Sequence, residues 1–80
     1  MGSSLNLNDF ERIFKKHGVE IERTHGNHLK LEKILNGKKR IFIVAMESGK
    51  KIKDVYVKKA RRRFDLLPKN GVSDHDFFST

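Results

Sequence analysis

HLKLEKILNGKKRIFIVA, residues 28–45, has the pattern of a β-hairpin. Residues 28–32 alternate between apolar and polar side chains, and residues 40–45 are rich in β-branched and aromatic ones. Between these two segments, Asn36-Gly37 is a strong hairpin signal. The stretch therefore predicts two antiparallel strands that are joined by this turn.

An even-numbered loop at the turn fixes which side chains share a face of the sheet. One face is predicted to carry the core residues Leu29, Leu31, Phe42 and Val44. The same register puts Ile41 and Ile43 on the opposite face, beside His28. A partner protein, or Phe77 and Phe78 of the C-terminal tail, would cover that face; otherwise it is a sticky surface.

The residues before the hairpin predict a helix and then a strand. Apolar residues recur at helical spacing over residues 7–17, and Gly18 ends that helix. Asn6 or Asn8 can cap its start. Residues 19–23 then alternate as in a half-buried strand, which makes the sheet three-stranded.

The residues after the hairpin predict a second helix. Apolar residues recur every three or four positions from about Lys53 to Leu66, with Asp54 as a cap. Pro68 ends this helix, and Ser73 can cap a short terminal turn.

The predicted order α-β-β-β-α defines an α+β domain, in which two helices cover one face of a three-stranded antiparallel sheet. Eighty residues make one domain at most. We expect this domain to span residues 7–67. Residues 1–6 are predicted to be a disordered N-terminus or a tag remnant, and residues 68–80 a C-terminal tail that can form a short helical turn.

The composition restricts the class of protein. The chain has no cysteine, no apolar run long enough to span a membrane and no secretory signal pattern. We therefore expect a cytoplasmic protein that does not bind membranes. Its net charge of +8 favours a polyanionic partner.

The positive charge is concentrated in residues 50–63, where eight cations against one acidic residue give +7 of the total +8. The eight cations are Lys50, Lys51, Lys53, Lys58, Lys59, Arg61, Arg62 and Arg63. Such segregation is typical of surfaces that contact the phosphates of nucleic acids.

Histidines are the main candidates for chemistry. His17 and His75 stand at the end of a helix and in a terminal turn, and we assign neither of them a role. The spacing His25-x-x-His28 offers two ligands where zinc needs at least three protein ligands, so we predict no metal and no cofactor. Spacing alone makes His28 a polar residue on the solvent face of a strand.

The run RTHGNHLKL, residues 23–31, resembles the HicA family of bacterial toxin ribonucleases. Members of that family carry Arg, a short spacer and Gly-Ser-His, and their histidine opens the second strand and is catalytic. Gly26-Asn27-His28 stands at that place here, with Asn for Ser. The similarity extends from Leu7 to about Leu67 and implies a fold like that of double-stranded-RNA-binding domains. Many members have Pro and a second His where this chain has residues 45–48, AMES.

The resemblance implies the toxin of a type II toxin–antitoxin system, a metal-independent endoribonuclease that cleaves mRNA with His28 as general base. Histidine suits this role because imidazole titrates near neutral pH. The implied substrate contacts are Arg23, Gly26, Asn27, Lys30 and the eight cations of residues 50–63. The implied partners are RNA and an acidic antitoxin that resembles HicB. Two alternatives are a non-catalytic RNA-binding module of the same fold and an interaction protein that docks through Ile41 and Ile43.

Overall fold

The computed structural model of the protein describes residues 4–79, and its central hairpin has the predicted register. In chain order the elements are β1 (Leu5–Asn6), α1 (Leu7–Lys16), β2 (Glu20–Arg23), β3 (His28–Leu35), β4 (Lys38–Ala45), β5 (Lys51–Ile52), α2 (Asp54–Arg63), a 3-10 helix (Pro68–Asn70) and α3 (Asp74–Phe78). Strands β2, β3 and β4 form an antiparallel sheet in that order.

The turn between β3 and β4 is responsible for the register. Asn36 and Gly37 have φ angles of 52° and 77°, and two positive values are characteristic of the type I′ turn that matches the twist of a hairpin. Leu29 consequently lies opposite Val44, and both side chains are fully buried. The predicted core face is confirmed.

Helices α1 and α2 pack on that core face, and α1 is capped as predicted. The Asn6 side chain accepts a hydrogen bond from the Asp9 N–H at 2.8 Å. The fully buried side chains at the centre of the core come from both helices, the sheet and flanking segments: Phe10, Phe14, Val19, Leu29, Leu31, Val44, Ile52, Val57, Phe64 and Phe77.

Helix α2 is shorter than predicted and differs at both ends. Lys53 occupies the N-cap position without a side-chain hydrogen bond, whereas Asp54 lies inside the helix and pairs with Lys58 at 3.1 Å. After Arg63 the chain closes in a Schellman arrangement around Asp65, which has a φ of 56°. This left-handed residue stops the helix before Leu66.

Leu5 and Asn6 form strand β1 instead of belonging to a disordered N-terminus. Leu5 lies opposite the fully buried Ile52 in β5, and the Leu7 N–H donates to the Lys50 carbonyl at 2.9 Å. Packing of Leu5 against the core accounts for this order. The rest of that predicted segment, residues 1–3, lies outside the described residues.

The C-terminal segment is an integral part of the domain. Ser73 accepts a hydrogen bond from the Asp76 N–H at 3.1 Å and caps α3, as predicted. Phe77 of α3 is fully buried among the helices, so the described domain continues well past residue 67. Because Phe77 packs on the helix side, it does not cover Ile41 and Ile43, which are 39% and 51% exposed.

His17 is not the solvated residue that its position at the helix end suggests. Its ring lies nearly parallel to that of Phe77, with centroids 5.7 Å apart. Burial, followed by the neighbouring cations Lys16 and Lys33, lowers the pKa of His17. A neutral imidazole is therefore favoured at this contact with α3.

Candidate functional site

His28 opens β3 on the face of the sheet that the helices leave uncovered. Its side chain is exposed, and its Nδ1 lies 3.3 Å from the carbonyl oxygen of His25. Because a carbonyl only accepts hydrogen bonds, this contact favours the tautomer with the proton on Nδ1. That tautomer leaves Nε2 as the basic nitrogen.

The loop between β2 and β3 holds His28 through backbone groups. The amide and the hydroxyl of Thr24 donate to the His28 carbonyl at 3.1 and 3.3 Å. Gly26 has a φ of 67°, and a Cβ added there would meet no other atom within 4 Å. Glycine is therefore favoured here by the left-handed backbone conformation and not by a lack of space for a side chain. The Met46 N–H donates to the Asn27 carbonyl at 2.6 Å, which ties the loop to the end of β4.

Two predicted substrate contacts, Lys30 and Arg23, lie on opposite faces of the sheet. Lys30 follows it by two residues in β3 and shares its face, with Nζ 3.7 Å from a carboxylate oxygen of Glu32. Arg23 lies opposite Leu29, whose side chain is in the core. The structure therefore directs the exposed Arg23 side chain to the helix side of the sheet, opposite to the face of His28, and its contact with the substrate stays a prediction.

The loop between β4 and α2 begins at the same end of the sheet as His28. Ala45, the last residue of β4, is paired with His28, and the next residue is hydrogen-bonded to Asn27. Residues 47–53 continue from this point into α2. The loop is thus anchored by its backbone at the strand end that carries His28.

This loop carries Lys50, Lys51 and Lys53, three of the predicted RNA contacts. Lys53 pairs with the Glu47 carboxylate at 3.4 Å. Lys50 and Lys51 are exposed, and within residues 4–79 neither has an ion-pair partner. They are two unpaired cations in the connection that begins at the His28 end of the sheet.

Arg61 is buried, which corrects the prediction that it contacts RNA. Its guanidinium donates to the carbonyls of Leu66 and Val72 and to the Asp74 carboxylate, the last at 2.7 Å. It also lies 4.6 Å from the centroid of the Phe77 ring. Arg61 therefore holds the C-terminal segment on α2, and three of its five N–H donors are used inside the protein.

The last turns of α2 present exposed cations beside β4. The Arg63 carbonyl accepts a hydrogen bond from Arg40 Nη1 at 2.9 Å, and Arg63 Nε donates to the Ile41 carbonyl at 3.3 Å. These contacts place the C-terminus of α2 next to the start of β4. Lys59 and Arg62 are exposed in the same region and have no ion-pair partner in the described part of the chain.

The two edges of the sheet differ in charge. A groove of about 780 Å³ runs along β2, and its charged lining residues are Lys15, Glu20, Glu22, Lys30 and Glu32. A cleft of about 370 Å³ separates β4 from α2 and is lined by Arg40, Phe42, Lys59, Arg62 and Arg63. Carboxylates outnumber cations at β2, whereas the cleft at β4 is lined by cations, so a polyanion is attracted to the β4 edge.

The pair His25 and His28 has no third ligand nearby in the structure: residues 4–79 contain no group of three or more His, Cys, Asp or Glu side chains that could hold a metal ion. The same residues include no helix that is long and apolar enough to cross a membrane.

Fold and site together define a class: a small basic α+β domain, like double-stranded-RNA-binding domains, with the exposed His28 at the end of its sheet. A family model described as the HicA toxin of bacterial toxin–antitoxin systems matches residues 7–66. The chain therefore belongs to the HicA toxin family, as its resemblance indicated. No curated protein and no solved structure matches the chain significantly.

Proposed function

We propose that this chain is the toxin of a type II toxin–antitoxin system and an endoribonuclease that cleaves mRNA without a metal ion. Family membership supports the toxin role. The main observation in support of nuclease activity is the exposed His28 imidazole. Its Nδ1 contacts the His25 carbonyl, which leaves Nε2 free to accept a proton. With mRNA as its substrate, such a toxin acts in the cytoplasm.

In this mechanism His28 is the general base. Nε2 takes the proton of a ribose 2′-OH, and the 2′ oxygen attacks the adjacent phosphorus. The bond from phosphorus to the 5′ oxygen breaks, the leaving oxygen takes a proton from water, and the product strand ends in a 2′,3′-cyclic phosphate. Lys50 and Lys51 stabilise the negative charge on the phosphoryl oxygens, because cations fixed near developing charge lower its energy.

The remaining substrate contacts extend from His28 along the basic edge. Gly26 and Asn27 precede His28 in the chain, Lys30 shares its face of the sheet, and the cations of α2 lie further along the chain. Lys53 and Lys58 are each paired with a carboxylate, so they contribute less than the unpaired cations. The proposed contacts on α2 and its preceding loop are Lys50, Lys51, Lys53, Lys58, Lys59, Arg62 and Arg63.

The proposed chemistry requires the 2′-OH of the substrate. The chain should cut a structured mRNA fragment in EDTA, and it should leave the same sequence intact when all riboses are 2′-O-methylated. Gel electrophoresis of end-labelled RNA measures both outcomes. Cleavage of the methylated strand would contradict the mechanism. Binding of both strands without cleavage would instead favour a non-catalytic RNA-binding module of the same fold.

We also propose that an acidic antitoxin resembling HicB covers the helix-free face of the sheet. Ile34, Ile41 and Ile43 form an exposed apolar row on that face, and the protein's own C-terminal segment packs elsewhere. Lys30 and Lys39 flank this row and both pair with Glu32 of the same face, at 3.7 and 3.4 Å. Two cations against one carboxylate leave a small positive charge beside the row, which suits a partner with acidic side chains. Exposed apolar surface of this kind is typical of docking sites.

Ile43→Glu tests this partner surface. The substitution should weaken association with the acidic protein encoded beside the toxin gene by roughly tenfold or more, because it places a carboxylate in an apolar interface. Isothermal titration calorimetry measures the affinity. The matched control is Val55→Glu on α2, where the native side chain is also about half exposed. Equal affinities for the two variants would count against this surface.

A further inference from the structure

We propose that the cleft between α2 and β4 is a nucleotide-binding subsite. It binds the RNA at a nucleotide some distance from the bond that is cleaved. We call it the α2–β4 cleft; its lining residues are Arg40, Phe42, Lys59, Arg62 and Arg63. The proposal rests on RNA being the substrate. It adds Arg40 and Phe42 to the substrate contacts and gives the cations of α2 a defined ligand, one nucleotide with its phosphate.

The charge of the cleft suits a phosphate. Four of its five lining residues are cations, and the acidic residue paired with one of them is Asp65, 3.2 Å from Arg40 Nη1. Lys59 and Arg62 are exposed and unpaired within residues 4–79. The cleft therefore carries an excess of positive charge that a phosphodiester would neutralise.

Two of the guanidinium groups are held in place before any ligand binds. Arg40 donates to the Arg63 carbonyl, and Arg63 donates to the Ile41 carbonyl. Each guanidinium has five N–H donors, so further donors remain for phosphate oxygens. Cations in the last turn of a helix also stabilise its dipole, which would account for Arg62 and Arg63 alone. The helix dipole does not account for Lys59, one turn earlier in α2, or for Phe42 of β4.

Phe42 distinguishes a nucleotide from other anions. Its side chain is half-buried, packs against the core and lines the cleft beside the four cations. Nucleobases stack on aromatic rings, whereas an acidic peptide would use only the positive charges. The combination of an aromatic surface with adjacent guanidinium groups therefore favours RNA as the ligand.

The position of the cleft allows one RNA strand to reach both sites. Phe42 precedes Ala45 by three residues in β4, and Ala45 is paired with His28. At about 3.4 Å per residue, the cleft lies roughly 10 Å along the strand from the imidazole. Because β4 is the edge strand, the RNA can pass over its free edge from the cleft to the face of His28.

The first test measures RNA affinity in the full chain with His28→Ala, which keeps the RNA uncut. Fluorescence anisotropy with a short labelled single strand is recorded at several salt concentrations. Lys59→Gln and Arg62→Gln should each weaken binding several-fold and lower the salt slope by about 0.7, the value for one lost phosphate contact. The matched control is Lys69→Gln, an exposed cation on the 3-10 helix outside the cleft, and it should bind as the parent does.

The second test isolates the aromatic ring. Phe42→Leu keeps an apolar side chain but removes the stacking surface, and it should weaken binding of the same RNA by roughly fivefold or more. Its affinity for an abasic strand of equal length should match that of the parent, because that strand has phosphates and no bases. Equal weakening for both strands would contradict the stacking role.

The results also separate this proposal from the nuclease itself. If the intact chain does not cut RNA but the cleft variants bind it more weakly, the subsite is supported and the nuclease is refuted. If the intact chain cuts RNA and all cleft variants bind it as tightly as the parent, the subsite is overturned. Loss of affinity for a poly-glutamate peptide with unchanged RNA affinity would also overturn it, and would assign the cleft to an acidic protein.

Discussion

The chain that carries His28→Ala is expected to cleave RNA roughly 10²–10⁴-fold more slowly than the intact chain, which is the usual contribution of a general base. The His28 side chain is exposed, and the hydrogen bond it makes in the structure is to the His25 carbonyl. RNA affinity and the free energy of unfolding should therefore stay nearly unchanged. Single-turnover cleavage of end-labelled RNA, with thermal unfolding of the same samples, measures these quantities.

His25→Ala is the matched control for this substitution. His25 is also exposed and lies in the loop that precedes His28, but it contacts His28 through its backbone carbonyl, which the substitution keeps. We expect this variant to cleave RNA at the rate of the intact chain. Equal rates for His28→Ala and the intact chain would exclude His28 as the base. An equal loss in both variants would point to the shape of the loop instead of the imidazole.

Phe77→Ala is expected to lower the free energy of unfolding by about 3–5 kcal/mol, the usual effect of removing a buried aromatic ring. The Phe77 ring contacts the Phe14 ring edge-on, with centroids 5.3 Å apart. The Arg61 guanidinium of α2 lies 4.6 Å from the centroid of the Phe77 ring. Loss of the Phe77 ring would leave a cavity and weaken the docking of α3. Urea denaturation followed by circular dichroism measures the change.

Phe78→Ala controls for the loss of an aromatic ring in the same helix. Phe78 is 46% exposed and touches Phe77 edge-on, so its removal should cost at most about 1 kcal/mol. Phe77→Leu keeps most of the apolar volume and should cost about 1 kcal/mol, which gives a folded variant for comparison. An unchanged unfolding midpoint for Phe77→Ala would mean that the cooperative domain ends near residue 67.

The hairpin could be predicted from the sequence because its determinants are local. Alternation defines the faces of each strand, and the turn at Asn36 and Gly37 fixes how the strands are paired. The caps at Asn6 and Ser73 were likewise predictable, since each bonds an N–H three residues away. These features depend on neighbours in sequence.

The features that the sequence did not predict depend on distant contacts. Strands β1 and β5 have two residues each, too few to show a periodic pattern. The sequence pattern does not show that Arg61 is buried, because its partners belong to residues 66–77, a different segment. The α2–β4 cleft combines residues about twenty positions apart, and no spacing rule brings them together.

The proposed role of His28 comes from family resemblance and not from its spacing, which fits any polar residue on the solvent face of a strand. The structure contributes a hydrogen bond that favours one tautomer, and it places His28 at the end of the sheet where the connection with Lys50 and Lys51 begins. The direction of the Arg23 side chain is likewise known from the structure and not from the resemblance. Arg23 is paired with Leu29, the residue after His28, and successive residues of a strand point to opposite faces. The Arg23 side chain therefore lies on the other side of the sheet from His28, although the two residues are close in sequence.

Mass spectrometry of the RNA fragments tests the proposed reaction most directly. The intact chain in EDTA should produce fragments whose 3′ ends are 2′,3′-cyclic phosphates, and the chain with His28→Ala should produce almost none of them. Fragments that end in a 3′-hydroxyl, or the same cyclic ends at equal rates from both chains, would contradict a ribonuclease in which His28 activates the ribose.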